Sequence, residues 1–266
     1  MVAAVAAVAI VLAIVLIGGG KSSGSFSYDD PFNRFPKGGS QGNVREVGGA
    51  PDSEKQLVGF LRFVSSDVQT FWAKEFQQGG AQYRPAPVIV FHDAVQTGCG
   101  PATSAVGPFY CPLDRSVYLD LGFFRQLAVE FKAPGDFADA YVLAHEIGHH
   151  IQNLSGITRQ VELAQANGLA PPNLLSIDTE LQADCLAGVW AHSTYERGIA
   201  DNGDVDEALR AAAAVGDDRI QAKATGRIDP ETWTHGSSAQ RRHWLLRGLQ
   251  TGDPNACDTF AGGAAT

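Results

Sequence analysis

Positive charge is scarce in this chain. Lys and Arg number 20 against 29 Asp and Glu, for a net charge of -9, and the basic residues form no cluster. A surface of that sign cannot neutralise a phosphate backbone, which excludes nucleic acid as a partner. Cysteine is scarce too. Cys99, Cys111, Cys185 and Cys257 include no Cys-x-x-Cys spacing, which excludes a zinc ribbon. No internal repeat is present, and no hydrophobic period runs through residues 18–51, which are rich in Gly, Ser, Asn and Pro. Such a segment buries too little apolar surface to offset its ordering entropy.

What the chain does hold is a hydrophobic fraction of 44%, enough for a substantial core. It also holds an uninterrupted apolar run. From Val2 to Ile17 every residue is Val, Ala, Leu or Ile, followed by Gly18, Gly19, Gly20 and Lys21. A spanning helix needs about 20 apolar residues, and this run with its glycines is just long enough. A signal peptide has a shorter apolar core, about 7 to 15 residues, behind positive charge, and no basic residue precedes Val2. A buried core helix is rarely apolar all round. The expected organisation is therefore a transmembrane anchor over 1–20, a flexible linker over 21–50 and one folded domain over 51–262. An even cysteine count behind a membrane segment fits two disulfides in an oxidising compartment, so the domain is expected on the extracytoplasmic side. Four cysteines permit three pairings. Cys99 with Cys111 would close a short loop around Gly107 and Pro108, and Cys185 with Cys257 would tie the C-terminal tail to a central helix; this is the favoured set.

Within the folded domain, a helix is expected from Ser53, where Ser-Glu-Lys-Gln makes a capping box, to the stop at Gly79 and Gly80. Strands are expected at Val88–Phe91 and Ser116–Leu121, with a Gly and Pro loop between the first two cysteines and a short helix from Phe123 to Phe131. The period of Phe137, Tyr141, Leu143, Ala144, Ile147 and Ile151 predicts a helix over Asp136–Leu154. A second long helix is expected from Ser176 to Arg197. Two more are expected near Asp204, with Glu207 completing a capping box, and from Ser237, with Gln240 in the same role. The fold class is α+β: a mainly helical domain with a small sheet.

His145-Glu146-Ile147-Gly148-His149 is an H-E-x-x-H pattern inside the Asp136–Leu154 helix. Residues four apart share a helix face, so both imidazoles can reach one ion. Glu146 then falls beside the open coordination position, where a carboxylate can take a proton from metal-bound water. A catalytic zinc with three protein ligands needs one more. Glu180, on the next long helix, supplies it, with Asp184 four residues on as its substitute or as the acceptor for the outer N–H of a ligand histidine. Among the remaining candidates, His235 precedes Gly236 at a helix start, where a loop can present a donor to a developing oxyanion. Tyr110 and Tyr118 could serve the same role. His150 points about 100° away from His149 and is expected on the helix surface, and nothing selects His192 or His243.

The runs Ala144-His-Glu-Ile-Gly-His-His-Ile-Gln152 and Glu180-Leu-Gln-Ala-Asp-Cys-Leu-Ala-Gly-Val-Trp190 resemble the neutral zinc metallopeptidases of bacteria. The likeness extends to Gly107–Pro112, Val117–Asp120, Thr234–Ser237 and Gly252–Phe260, and so covers roughly residues 50–260. More distantly, the chain resembles zincins whose third ligand is a glutamate in a Glu-x-x-x-Asp helix. The resemblance implies Zn2+ at His145, His149 and Glu180, with Glu146 catalytic and a protein or peptide as substrate. The expectation is a membrane-anchored zinc metallopeptidase; the alternative is a non-catalytic cell-envelope binding or scaffolding protein with a structural zinc, closed by a loop histidine such as His235.

Overall fold

A computed structural model describes residues 43–49 and 54–261. The expected anchor, most of the linker and the Ser53 cap lie outside the described residues. Among the described residues, no helix is long and apolar enough to cross a membrane.

The architecture is α+β and mainly helical, with a four-stranded sheet and a two-stranded one. The central strands β2 (Val88–Phe91) and β6 (Ser116–Asp120) are buried along their whole length. Their apolar runs suit a parallel pair covered on both faces. β1 (Val44–Glu46) adds in parallel to β2, pairing Val44 with Val88. The linker expected over 21–50 therefore does not reach its C-terminal end as free chain: three of its residues gain ladder hydrogen bonds, and Val44 is buried against the core. The segment between the first two cysteines is also not plain loop. It contains β4 (Gly100–Thr103), antiparallel to β3 (Ala94–Thr97), and β5 (Phe109–Cys111), antiparallel to β6. These strands are only three or four residues long, and β4 holds Gly100 and Pro101 while Gly107 and Pro108 precede β5, which hides them from a composition reading.

The described residues form eight α-helices, three of which pack directly on the larger sheet. α1 (Lys55–Gln78) buries Val58, Leu61, Val64, Val68 and Trp72, the stripe set by their spacing. Its N-cap is Glu54, with no side-chain capping bond. α2 (Leu121–Val129) follows β6 directly, and Asp120 caps it by accepting from the Gly122 amide. α3 (Asp136–Leu154) has the predicted bounds. α4 (Ile157–Ala166) was not expected beyond the Ser155-Gly156 stop; Gly156, at φ 79°, turns the chain and lets the helix restart. α5 runs over Pro172–Glu196, a turn earlier than expected because a proline opens it. α6 (Asn202–Ala214) is capped by Asp201 with Asp204, not by Asp204 with Glu207, whose carboxylate accepts from the Phe137 amide at 3.2 Å. α7 (Asp217–Thr225) was unforeseen, and α8 (Ser238–Thr251) carries the expected Ser237 and Gln240 capping box.

Three helices meet unusually closely, and glycine is the reason. A Cβ on Gly148 of α3 would stand 3.0 Å from the Cα and carbonyl oxygen of Ala183 on α5. A Cβ on Gly248 of α8 would collide with the Cys185 carbonyl of α5. These contacts bring the backbones of α3 and α8 against α5 on either side. Disulfides join Cys99 to Cys111 and Cys185 to Cys257, the favoured pairing. The second fastens the segment after α8 to the middle of α5.

Candidate metal centre

The approach at Gly148 places the H-E-x-x-H face of α3 opposite Glu180 on α5. His145 Nε2 lies 3.2 Å from Glu180 Oε2, and His149 Nε2 lies 3.3 Å from Glu180 Oε1. One ligand atom from each of the three residues falls within 4.8 Å of the other two. Among the described residues, no fourth His, Cys, Asp or Glu joins that group. His145, Glu146, His149 and Glu180 all line one open cavity of about 510 Å³.

Both imidazoles are oriented from behind. His145 Nδ1 is 2.8 Å from Asp184 Oδ1. Burial alone would raise the Asp184 carboxyl, but Arg241 and then His145 outweigh it and hold the pKa near 2. An ionised carboxylate only accepts, so Nδ1 carries a proton, and a cation would take Nε2 in place of the proton there. His149 Nδ1 lies 2.9 Å from Gln152 Oε1. The Gln152 amide is fixed in turn, since its Nε2 donates to the Thr179 carbonyl at 2.7 Å and to Gln182 Oε1 at 3.1 Å. Gln182 donates to the Cys257 carbonyl at 2.9 Å, so the second disulfide lies at the end of this chain of bonds.

Arg241 of α8 is the residue that the sequence did not single out. Its guanidinium grips Asp184 with two bonds, Nε to Oδ2 at 2.8 Å and Nη2 to Oδ1 at 3.0 Å, and reaches the Tyr141 hydroxyl at 3.1 Å. Tyr141 donates to Asp184 Oδ1 at 2.5 Å. The buried charges are thus paired and hydrogen-bonded, which low-dielectric burial requires. Nothing local to Arg241 signals this, because its partners are on other helices. Gln152 was legible in principle, one turn beyond His149.

Glu146 is buried, and that burial raises its carboxyl above the ordinary range, against the opposing pull of His145 and His149. His235 lines the same cavity from the loop before α8. Asp217 holds it there, accepting from the Thr234, His235 and Gly236 amides at 2.7, 2.6 and 3.1 Å and facing His235 Nδ1 at 3.2 Å. Tyr110 also lines the cavity, yet its hydroxyl is engaged with His150 and with the Asn153 amide. Tyr118 does not line it; it stacks on Phe109 and donates to Asp114.

His150 is not on the surface. It is buried, with Nε2 2.6 Å from the Arg84 carbonyl and Nδ1 3.0 Å from the Tyr110 hydroxyl. The helix carrying it is covered on both sides, so turning away from His149 means turning into β5. His192 faces the Leu249 carbonyl and His243 packs on Trp244, both away from the cavity.

The β5 edge borders the cavity through Gly107, Pro108, Phe109 and Tyr110. Tyr110 pairs with Val117, whose amide is turned the other way to bond the Pro87 carbonyl. In an antiparallel pair of that kind the Tyr110 N–H and C=O point away from β6, toward the open edge.

Known bacterial proteins resemble this chain in sequence. The Escherichia coli K12 protein "Uncharacterized protein YpfJ" is 44% identical over 209 residues, which cover 78% of this chain and 73% of that protein. The Mycobacterium tuberculosis H37Rv protein "Uncharacterized protein Rv2575" is 53% identical over 184 residues, 65% of this chain and 61% of that protein. No solved structure matches. Residues 4–260 match a family model that spans the anchor-like run, the sheet and every residue of the centre, and the chain therefore belongs to the family described as "Putative neutral zinc metallopeptidase".

Proposed function

We propose that this chain is a membrane-anchored, extracytoplasmic zinc peptidase that hydrolyses bonds within extended protein or peptide segments. The observation that carries the reading is the convergence of His145, His149 and Glu180 on one point of an open cavity, with Glu146 beside them and no fourth ligand among the described residues. Two imidazoles and one carboxylate suit zinc, and a set of three protein ligands is that of a catalytic ion, whereas structural sites close with four. That difference weighs against the scaffolding alternative, since His235 does not join the group. When bound, zinc supplies a Lewis acid for the scissile carbonyl and brings the pKa of water toward about 7.

The rest falls to the protein. Glu146 takes a proton from the attacking water as its oxygen bonds to the carbonyl carbon, and passes that proton to the amine nitrogen as the C–N bond breaks. Its buried position and raised pKa suit a group that must hold the proton between the two steps. The Asp217 carboxylate at Nδ1 raises the His235 pKa and favours the protonated ring, whose Nε2–H can then donate to the carbonyl oxygen as negative charge builds there. The Tyr110 edge can take the backbone of an extended segment through one N–H and one C=O, which favours a peptide over other substrates. Two disulfides and the apolar run before Gly18 support the placement outside the cytoplasm.

The test is to measure zinc per chain and the cleavage of unfolded protein substrates with and without a chelator. Cleavage that vanishes with the metal and returns with zinc is expected. Bound zinc with every substrate intact would favour the scaffolding reading, and zinc-dependent activity confined to non-peptide bonds would overturn the peptide assignment.

A further inference from the structure

One wall of the cavity has no part in the steps above. Its apolar lining includes Val106, Phe123, Phe131, Val142, Val215 and Ile220, while the charged groups of the lining, Glu146, Glu180 and Arg241, belong to the metal centre. Gln152, Thr158 and Thr179 make the polar remainder of the lining. We infer that this wall is a subsite for one bulky, uncharged apolar side chain of the substrate, at a position beside the scissile bond. The inference rests on the peptidase reading and specifies its substrate.

Placement ties the wall to the chemistry. Val142 lies one helical turn before Glu146 on the same face of α3, so the floor of the subsite begins beside the proton-transferring carboxylate. Ile220 lies one turn after Asp217 on α7, and Asp217 is the residue that fixes the His235 loop. The Lys223 ammonium, one turn further, stands 4.8 Å above the Phe131 ring and bridges to Glu130, joining α7 to the segment after α2. The Val215 carbonyl accepts from Arg241 Nη1 at 3.3 Å. Val215 and Ile220 are thus tied to residues that order the centre.

Its energetics select one kind of occupant. Val106 and Ile220 are 58% and 39% exposed, so both present apolar surface to the cavity or to water. An apolar side chain laid between them removes apolar surface on both partners from water. A charged one would lose hydration, and the charges nearest the wall, Lys223 and Glu130, are already paired with each other.

The experiment uses the zinc-loaded full chain on a peptide library, with cleavage sites read by mass spectrometry. Leu, Phe, Ile or Met should be enriched at one position flanking the cut. Ile220→Asp should lower kcat/KM for such a peptide about ten- to hundredfold and shift that position toward Lys and Arg. Ile220 is exposed enough to change without disturbing the core, and unchanged zinc content and circular dichroism would show that it has. Cleavage with no preference there, or an Ile220→Asp profile equal to the parent's, overturns the subsite alone. A zinc-loaded chain that cuts nothing overturns the peptidase reading and the subsite with it.

Discussion

Asp184 has two partners that need it for different reasons. It takes the outer N–H of His145, and it neutralises Arg241, which is only 4% exposed. Asp184→Asn should therefore weaken zinc about 10- to 100-fold in a chelator competition, because the ring loses the charge that sets its proton. The same change leaves a buried guanidinium half-paired, for a loss on the order of 3–5 kcal/mol of stability. Zinc affinity equal to the parent's would sink the orienting role. Glu146→Gln should behave oppositely, keeping zinc while losing about 10²- to 10⁴-fold in kcat, since an amide cannot accept and return a proton. Residue spacing is enough to pick out His145, Glu146, His149 and the Glu180 and Asp184 pair, because an i, i+4 relation is local. It misplaces His150 and is silent on Arg241, whose roles depend on what packs against the helix.

Among the elements, the contact of α3 with α5 decides whether the ligands can meet. With the Gly148 position 3.0 Å from Ala183 backbone atoms, even one methyl group demands a shift, and a branched side chain demands more. Gly148→Val should lower both the melting temperature and the zinc affinity, with Gly148→Ala intermediate; thermal melts in zinc and in chelator read both. A valine variant that bound zinc like the parent would show that the separation of the helices is not limiting. The disulfide between Cys185 and Cys257 closes 72 residues, and its replacement by two serines should lower the unfolding free energy by about 4 kcal/mol in a denaturant titration. The helix bounds of α3 and the α8 capping box were readable from pattern. β4, β5, α4 and α7 were not, because short elements carry little periodicity and owe their structure to neighbours.

For the molecule as a whole, acidity has a consequence at the junction of α3 and α6. Burial first, then Asp136 and Glu207, raise the Asp139 carboxyl to about 8, and burial raises Glu207 to about 7. Both folded values exceed the unfolded ones of about 4, so the folded state holds these protons more tightly. Their contribution is fully present below about pH 4 and lost as pH rises through about 8. Between pH 5 and pH 9 the parent should lose more stability than Asp139→Asn, measured as the difference in denaturation midpoints. Parallel pH profiles for the two proteins would contradict the assignment. The anchor proposal also belongs at this scale: the full chain should remain in the membrane fraction after carbonate extraction and be digestible from the outer face, and release into the soluble fraction would overturn it.

Taken alone, the order of residues determined which groups could share a helix face, because a helix relates positions three and four apart whatever surrounds it. From that came the two histidines, the carboxylate between them, the Glu180 and Asp184 pair and the α+β class. Tertiary structure decided the distances between faces. Close backbone approach at Gly148 and Gly248 set Glu180 across from the imidazoles and brought Arg241 to Asp184, and the β5 edge and the apolar wall took shape from segments far apart in the chain. Contacts between distant segments depend on how whole surfaces pack, and no local spacing encodes that.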